Sequence, residues 1–175
     1  MHQIYIERTL SGAILDIGGG GEGIIGRVYG RQVTAIDRLA EELAEAPDGP
    51  IKLVMDARSL AFCDGCFDHA TAFFAFLFMS GDDHGAVARE VFRVLRPGGR
   101  FLIWDAAFHE ANPFLIDLAI HAAGQTVRTT YGVVRDDRQS IEQLAAAVRQ
   151  AGFLLEHTRI DEPAFFMEWK KPERD

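Results

Sequence analysis

Apolar positions along this chain gather into short runs that end near an acidic residue and give way to a turn, a rhythm that predicts strand and helix in alternation. Ala13–Ile17 is an apolar run with one carboxylate, Asp16, followed at once by Gly18-Gly19-Gly20-Gly21-Glu22-Gly23 and then by Ile24–Tyr29. Strand, glycine turn and helix is the natural reading. Val33–Ile36 ends in Asp37 and precedes the helix-forming stretch Leu39–Glu45; after the turn Pro47–Pro50, Ile51–Met55 ends in Asp56. A fourth strand is expected at Phe67–Phe74, with its apolar run continuing to Met79. Val87, Val91, Val94 and Leu95 recur at helical spacing within Ala86–Leu95, Pro97-Gly98-Gly99 stops that helix, and Arg100–Trp104 reads as a fifth strand. Apolar strands that alternate with helices and lack polar alternation predict a parallel sheet covered on both faces.

The remainder changes character. Phe114, Ile116, Leu118 and Ile120 alternate with polar or small residues, a turn falls at Ala122–Gly124, and Val127, Thr129, Tyr131 and Val133 alternate again. This predicts an antiparallel hairpin after the fifth strand, with a helix at Pro113–Ala123 as the competing reading. An apolar face on an exposed hairpin would serve as a homodimer contact or as a lid. Ser140–Gln150 reads as an amphipathic helix with Ser140 as N-cap and Gly152 as C-cap, and Phe153–Ile160 and Pro163–Trp169 as two closing strands. With no repeat and no linker, residues 1–175 are expected to form one domain.

Composition narrows the partners. In 175 residues, 48% are apolar and 25% charged, an ordinary globular balance. The longest apolar stretch, Ala70–Met79, is about half of a membrane-spanning helix, and Met1–Ser11 lacks a signal-peptide layout. A cytoplasmic protein without a membrane partner is expected. The net charge of −8 argues against nucleic acid, whose binding needs clustered Lys and Arg, and favours a small or cationic molecule. Arg8, Arg27, Arg31 and Arg38 could form a local patch for a small anion. Cys63-Asp64-Gly65-Cys66 lacks the second pair that a structural zinc site needs, and Asp64-Gly65 reads as a tight turn, so a plain loop is expected over a disulfide or redox motif.

Position carries the functional signal. Three acids sit at or beside the ends of successive strands, where doubly wound sheets bind ligands. Glycines in the turn Gly18–Gly23 let the backbone approach a ligand closely. Asp37, 21 residues after Asp16, is placed to accept from both hydroxyls of a ribose. Asp56 can accept from an exocyclic adenine amine while the Ala57 amide donates to the ring. Taken alone, Gly18-x-Gly20-x-x-Gly23 also fits a nicotinamide-binding turn. Asp16 before the first glycine, Asp56 and the Leu95-Arg96-Pro97-Gly98-Gly99 run tilt the choice away from it.

The order I-L-D-I-G-G-G-G-E-G at Ile14–Gly23, T-A-I-D at Thr34–Asp37, V-M-D-A at Val54–Ala57, C-F-D at Cys66–Asp68 and R-V-L-R-P-G-G-R-F-L-I at Arg93–Ile103 resembles the class I S-adenosylmethionine-dependent methyltransferases. The resemblance spans Ala13 to Asp105 and extends in outline to Ser140–Trp169. It implies an α/β, doubly wound, mostly parallel seven-stranded sheet with the last strand antiparallel, plus the hairpin insertion. It also implies S-adenosylmethionine as cofactor and S-adenosylhomocysteine as product, while the acidic charge balance favours a small-molecule acceptor. The residues expected at the cofactor are Asp16, Gly18, Gly20, Glu22, Asp37, Arg38, Asp56, Ala57 and Phe73. Three features depart from the family pattern. Glu22 stands where the last glycine is usual, about a dozen residues precede the first strand in place of cap helices, which leaves the site open, and Thr71-Ala72-Phe73-Phe74 replaces Asn-Pro-Pro-Tyr.

Methyl transfer from a sulfonium needs positioning in a dry pocket, with a general base only for some acceptors. His109, shortly after the fifth strand, is the preferred base over His69 and His84, with Tyr131 as a positioning group. Asp82-Asp83-His84 and Asp105 raise a divalent metal, although aspartates before a helix more often cap it, and no metal is expected. Phe73, Phe74, Phe76, Phe78 and Trp104 could line an acceptor pocket or face the sulfonium. A non-catalytic protein that binds the same cofactor for regulation or assembly is the alternative to an active enzyme.

Overall fold

The computed structural model describes residues 1–109, 113–134 and 138–173. In chain order the strands and helices are β1 (His2–Ile6), β2 (Ile14–Ile17), α1 (Ile24–Tyr29), β3 (Val33–Asp37), α2 (Ala40–Glu45), β4 (Ile51–Val54), β5 (Phe67–Phe73) and α3 (Gly81–Val94). They continue with β6 (Leu95–Ala106), β7 (Phe114–Ala122), β8 (Gln125–Val133), α4 (Ile141–Gln150), β9 (Leu154–Asp161) and β10 (Ala164–Lys170).

Seven strands form one sheet in the order β4-β3-β2-β5-β6-β10-β9. β2 pairs in parallel with β3 on one side and β5 on the other, so the chain runs outward from β2 and then returns across it. That reversal between β2 and β5 opens a crevice beyond their carboxyl ends. β10 is antiparallel to both β6 and β9, the expected single reversal. Every residue of β2 is buried, because each face has its own cover. One side packs α1 and the small sheet around Ile14, Ile25 and Val28. The other packs α3 and α4 through Val87, Val91, Leu144 and Val148 onto Leu15, Ile17 and Trp169.

β7 and β8 pair antiparallel from Phe114 opposite Val133 to Ala122 opposite Gln125, so the competing helix does not form. The hairpin's apolar face is not exposed. β1 joins β7 in parallel, from His2 opposite Leu118 to Ile6 opposite Ala122, and the three-stranded sheet buries Phe114, Ile116, Leu118 and Ile120 against α1 and the main sheet. The stripe that suggested a dimer contact is therefore internal packing, and the residues ahead of β2 contribute a strand that the sequence pattern did not suggest.

α3 starts earlier than its apolar spacing indicates. Ser80 is its N-cap, with the Asp83 amide donating to Ser80 Oγ at 3.3 Å. Asp82 and Asp83 therefore occupy the first turn, where carboxylates suit the helix dipole. Ser140 caps α4 by accepting from the Gln143 amide at 3.1 Å, and Ala151 rather than Gly152 is the C-cap residue. Cys63 and Cys66 form a disulfide, which corrects the plain-loop expectation. The turn at Asp64-Gly65, with Gly65 at φ +65°, brings their Cα atoms to 5.7 Å, and the Gly65 amide donates to the Arg93 carbonyl of α3. Among the described residues no helix is long and apolar enough to cross a membrane.

Candidate functional site

A cavity of about 980 Å³ lies beyond the carboxyl ends of β2, β3 and β5, with residues 130–132 of β8 forming part of its wall. The glycine turn forms its floor. Gly18 has φ +68°, a conformation open to glycine, and a Cβ there would lie 2.8 Å from Ala75 Cβ. At Gly19 the constraint is space, since a Cβ would lie 2.7 Å from both Ala35 Cβ and Asp16 Oδ2. The Gly19 amide donates to Ile36 O and the Gly21 amide to Glu42 O, which fixes the turn between β3 and α2.

The three strand-end acids lie along this cavity but in different states. Asp16 is buried and accepts from Thr71 Oγ1 at 2.7 Å. Burial pushes its carboxyl up to about 7; the Thr71 hydrogen bond opposes the rise and the Asp37 charge adds to it. Asp37 closes β3, where Oδ1 accepts from the Leu39 amide at 3.0 Å and Oδ2 lies 3.1 Å from where a Gly20 Cβ would stand. Asp56 lies two residues past the end of β4, and Arg58 grips its carboxylate through Nε at 3.0 and 3.1 Å and Nη2 at 2.6 Å. Those hydrogen bonds hold the Asp56 carboxyl down at about 2. Arg58 Nη1 also donates to Asp83 Oδ1 at 3.0 Å, tying the β4 end to the first turn of α3. The sequence reading missed Arg58, whose only signal was a basic residue two places after a strand-end acid.

Glu22 reaches across the cavity to the hairpin. Its carboxylate accepts from Tyr131 Oη at 2.9 Å and from the Thr129 hydroxyl. Burial, followed by the charge of Glu22, pushes the Tyr131 phenol above its ordinary value. Its ring stacks on Phe74 with centroids 5.0 Å apart and planes 7° apart. Phe73 and Phe78 each meet the same ring edge-on at 6.4 Å. Phe74 has φ +50°, a strained conformation for a residue with a Cβ, held by its amide donating to Trp104 O at 2.7 Å. The departures from the family pattern at Glu22 and at Phe73-Phe74 thus meet in one aromatic wall, and the hairpin occupies ground that was expected to stand open.

Gly18, Gly20, Arg38, Ala57 and Phe73 also line the cavity. His109 does not. It is exposed after β6, where the chain turns away at a bridge between Phe108 and Gln139. His84 is buried with Nε2 3.3 Å from Phe76 O, and His69 is half-buried beside the Arg100 amide, so neither faces the cavity. Asp105 is fully buried and accepts from the amides of Phe76 and Ala106 and from Gln139 Nε2. That is a structural role. Phe76 and Trp104 are core, and of the four arginines expected to form a patch only Arg38 lines the cavity. Among the described residues no group of His, Cys, Asp and Glu is arranged to hold a metal.

Residues 15–103, about half of the chain, match the methyltransferase domain family. The chain is 38% identical over 104 residues to the ubiquinone/menaquinone biosynthesis C-methyltransferase UbiE of Desulfotalea psychrophila, a match covering 54% of this chain and 42% of that protein. The chain thus spans less than half the length of this relative. Among solved structures, a Pyrococcus horikoshii protein superposes with a TM-score of 0.70 at 18% identity, covering 94% of this chain and 84% of the other. An S-adenosylmethionine-dependent methyltransferase from Mesorhizobium loti does so with a TM-score of 0.64 at 19% identity, covering 91% and 90%. At these identities the likeness speaks to the fold, which is the one described above. With strand order, glycine turn and family match in agreement, this chain belongs to the class I S-adenosylmethionine-dependent methyltransferases, and S-adenosylmethionine is its cofactor.

Proposed function

We propose that the protein transfers the methyl group of S-adenosylmethionine to a small molecule bound in the same cavity, against the β8 wall. The observation that carries this reading is continuity, since one space of about 980 Å³ runs from the glycine turn and strand-end acids to an aromatic surface. That volume lies at the upper end of the range usual for ligand pockets, enough for two molecules side by side.

The residues present fit the cofactor. Asp37 accepts from the ribose hydroxyls with Arg38 beside it, Asp56 and the Ala57 amide meet the adenine, and Gly18 and Gly20 admit the backbone of the turn to close contact. Asp16 and Glu22 face the methionine portion, and Phe73 marks the side of the acceptor. When bound, S-adenosylmethionine would supply a methyl carbon on a sulfonium, and the acceptor's lone pair would bond to that carbon as the carbon–sulfur bond breaks and S-adenosylhomocysteine leaves. The protein's part is to hold the acceptor at attack distance and to exclude water, tasks suited to rigid strand ends and an aromatic wall. The C-methyltransferase activity named for the Desulfotalea relative belongs to that protein; a ring-bearing acceptor would suit the wall formed by Phe73, Phe74 and Tyr131 here.

Calorimetric titration with S-adenosylmethionine, followed by a screen of small-molecule extracts for S-adenosylhomocysteine formation, tests the proposal. Binding together with turnover supports it; binding without turnover on any extract overturns the enzymatic reading in favour of a regulatory role.

Asp16 makes cofactor binding depend on pH. Its carboxyl sits at about 7 in the free protein, and a cationic cofactor placed beside it favours the ionised form, so binding releases a proton. Affinity then rises with pH through 7 and is expected to be about tenfold weaker at pH 6 than at pH 8. Asp16→Asn flattens that profile. A wild-type affinity that is level from pH 6 to 8 removes Asp16 from contact with the cationic portion.

A further inference from the structure

We propose that the acceptor compartment of this cavity is built for a cationic arylalkylamine, a compound joining an aromatic ring to an ammonium group, and that it discriminates against the matching carboxylate. The inference rests on reading the cavity as a cofactor-plus-acceptor site and adds the chemical class of the acceptor.

The first observation is the direction of the hydroxyl protons on the hairpin wall. Tyr131 spends its single O–H on Glu22 Oε2 at 2.9 Å, and Thr129 spends its own on the other Glu22 oxygen. Both hydroxyls have therefore given their protons to Glu22, and what remains to offer a ligand at Tyr131 is a lone pair. A wall of acceptors pairs with a donor-bearing group and leaves a carboxylate ligand unsatisfied.

Charge points the same way. Glu42 stands over the glycine turn, its Oε2 3.2 Å from where a Gly21 Cβ would lie. Burial first, then the charges of Glu45, Asp37, Glu22 and Glu41, raise its carboxyl above the ordinary value. The charges of Glu22, Asp16 and Glu42 all raise the Tyr131 phenol. The cationic side chains lining the cavity are Arg38 and Arg58. Arg58 is spent on Asp56 and Asp83, and Arg38 acts on Asp56, at the β4 end and away from the hairpin. Among the described residues no cation forms an ion pair with the Glu22 or Glu42 carboxylate, and Arg27 Nε donates instead to the Glu22 backbone carbonyl at 2.7 Å.

The third observation is apolar. Phe78 is 56% exposed and still lines the cavity, edge-on to the Tyr131 ring, an aromatic left bare at the mouth of a pocket. Phe73 and the Phe74–Tyr131 stack continue that surface inward. Ring faces beside carboxylates hold an aromatic body and accept a cation at its end.

The test uses the whole protein saturated with S-adenosylhomocysteine, titrated by calorimetry with tyramine and with 4-hydroxyphenylacetate, which share a ring and differ in end charge. Tyramine is expected to bind about three- to fivefold tighter, the worth of one partly screened charge contact. In Glu42→Gln, which removes a charge while keeping shape, the ratio moves toward one. Equal binding of the two probes, preference for the carboxylate, or no binding of either to the loaded protein overturns the proposed class. Failure of S-adenosylhomocysteine itself to bind overturns the cofactor-site reading beneath it, and the two failures are read in separate titrations.

Discussion

Replacing Asp37 with Ala is expected to weaken S-adenosylmethionine binding by about 100-fold or more, with little loss of stability. A carboxylate accepting from two ribose hydroxyls makes two charge-assisted hydrogen bonds, each contributing about 1.5–3 kcal/mol, and about 3 kcal/mol corresponds to roughly 100-fold in affinity. The folded protein loses only the turn in which Asp37 Oδ1 accepts from the Leu39 amide at 3.0 Å. That turn is half-exposed and its donor can turn to water, so the cost stays near about 1 kcal/mol. Asp37→Asn keeps one acceptor oxygen and should fall between the two. Calorimetry and thermal unfolding on the same samples read both quantities. An affinity within about threefold of wild type, which is under 0.7 kcal/mol, would show that this acid does not hold the ribose.

Local features of the sequence carried most of the frame. Short apolar runs ending in Asp37 and Asp56 are strands because period and punctuation agree, and Gly18–Gly23 is a turn because backbone this close to Asp16 and Ala35 leaves no room for a Cβ. The alternation at Phe114–Ile120 likewise fixes a strand with one buried face. What escaped was set by pairing between distant segments. His2–Ile6 is too short to announce itself, and becomes a strand because β7 offers it a parallel edge more than 110 residues away, as with His2 opposite Leu118. The same holds in the site. Nothing near Glu22 indicates that its carboxylate meets Tyr131, 109 residues later, and nothing near Asp56 indicates that α3 supplies Asp83 to the far end of Arg58. His109 looked suitable because it follows a strand on the ligand side, yet the Phe108–Gln139 bridge leads the chain away first. Cys63 and Cys66 read as a loop because spacing alone does not decide pairing; the turn geometry does.

The glycine turn and the aromatic wall come from opposite ends of the folding order, one from a local strand–turn–helix unit and the other from the late hairpin. Glu22 joins them, since it lies in the turn and takes its hydrogen bonds from β8. The residue that interrupts the family's glycine pattern therefore links the floor of the cofactor space to the wall proposed for the acceptor. A substitution that frees the hairpin would reach the acceptor before it reaches the ribose.

Asp105→Ala is expected to be the most destabilising of the changes considered, at roughly 3–5 kcal/mol, although no ligand would touch this residue. Its carboxylate is fully buried and accepts from the Phe76 amide at 2.8 Å, the Ala106 amide at 2.9 Å, Gln139 Nε2 at 2.7 Å and the Leu77 amide. Removing it strands donors in a dry interior, each costing about 1–3 kcal/mol when it finds no partner. Burial raises the Asp105 carboxyl to about 7 while those same donors draw it down, so the acceptor is held at real expense for the contacts it makes. The donors belong to separate parts of the fold. Phe76 opens the short turn that carries Phe78 to the mouth of the cavity, and Gln139 leads into Ser140 and α4. For a chain of 175 residues the loss corresponds to a fall in Tm of about 10–15 °C, read by circular dichroism. Asp105→Asn, which retains one acceptor oxygen, should lose less. A Tm within about 3 °C of wild type, or under about 1.5 kcal/mol, would mean that the donors find other partners and that Asp105 does not fasten the turn beneath Phe78 to the sheet.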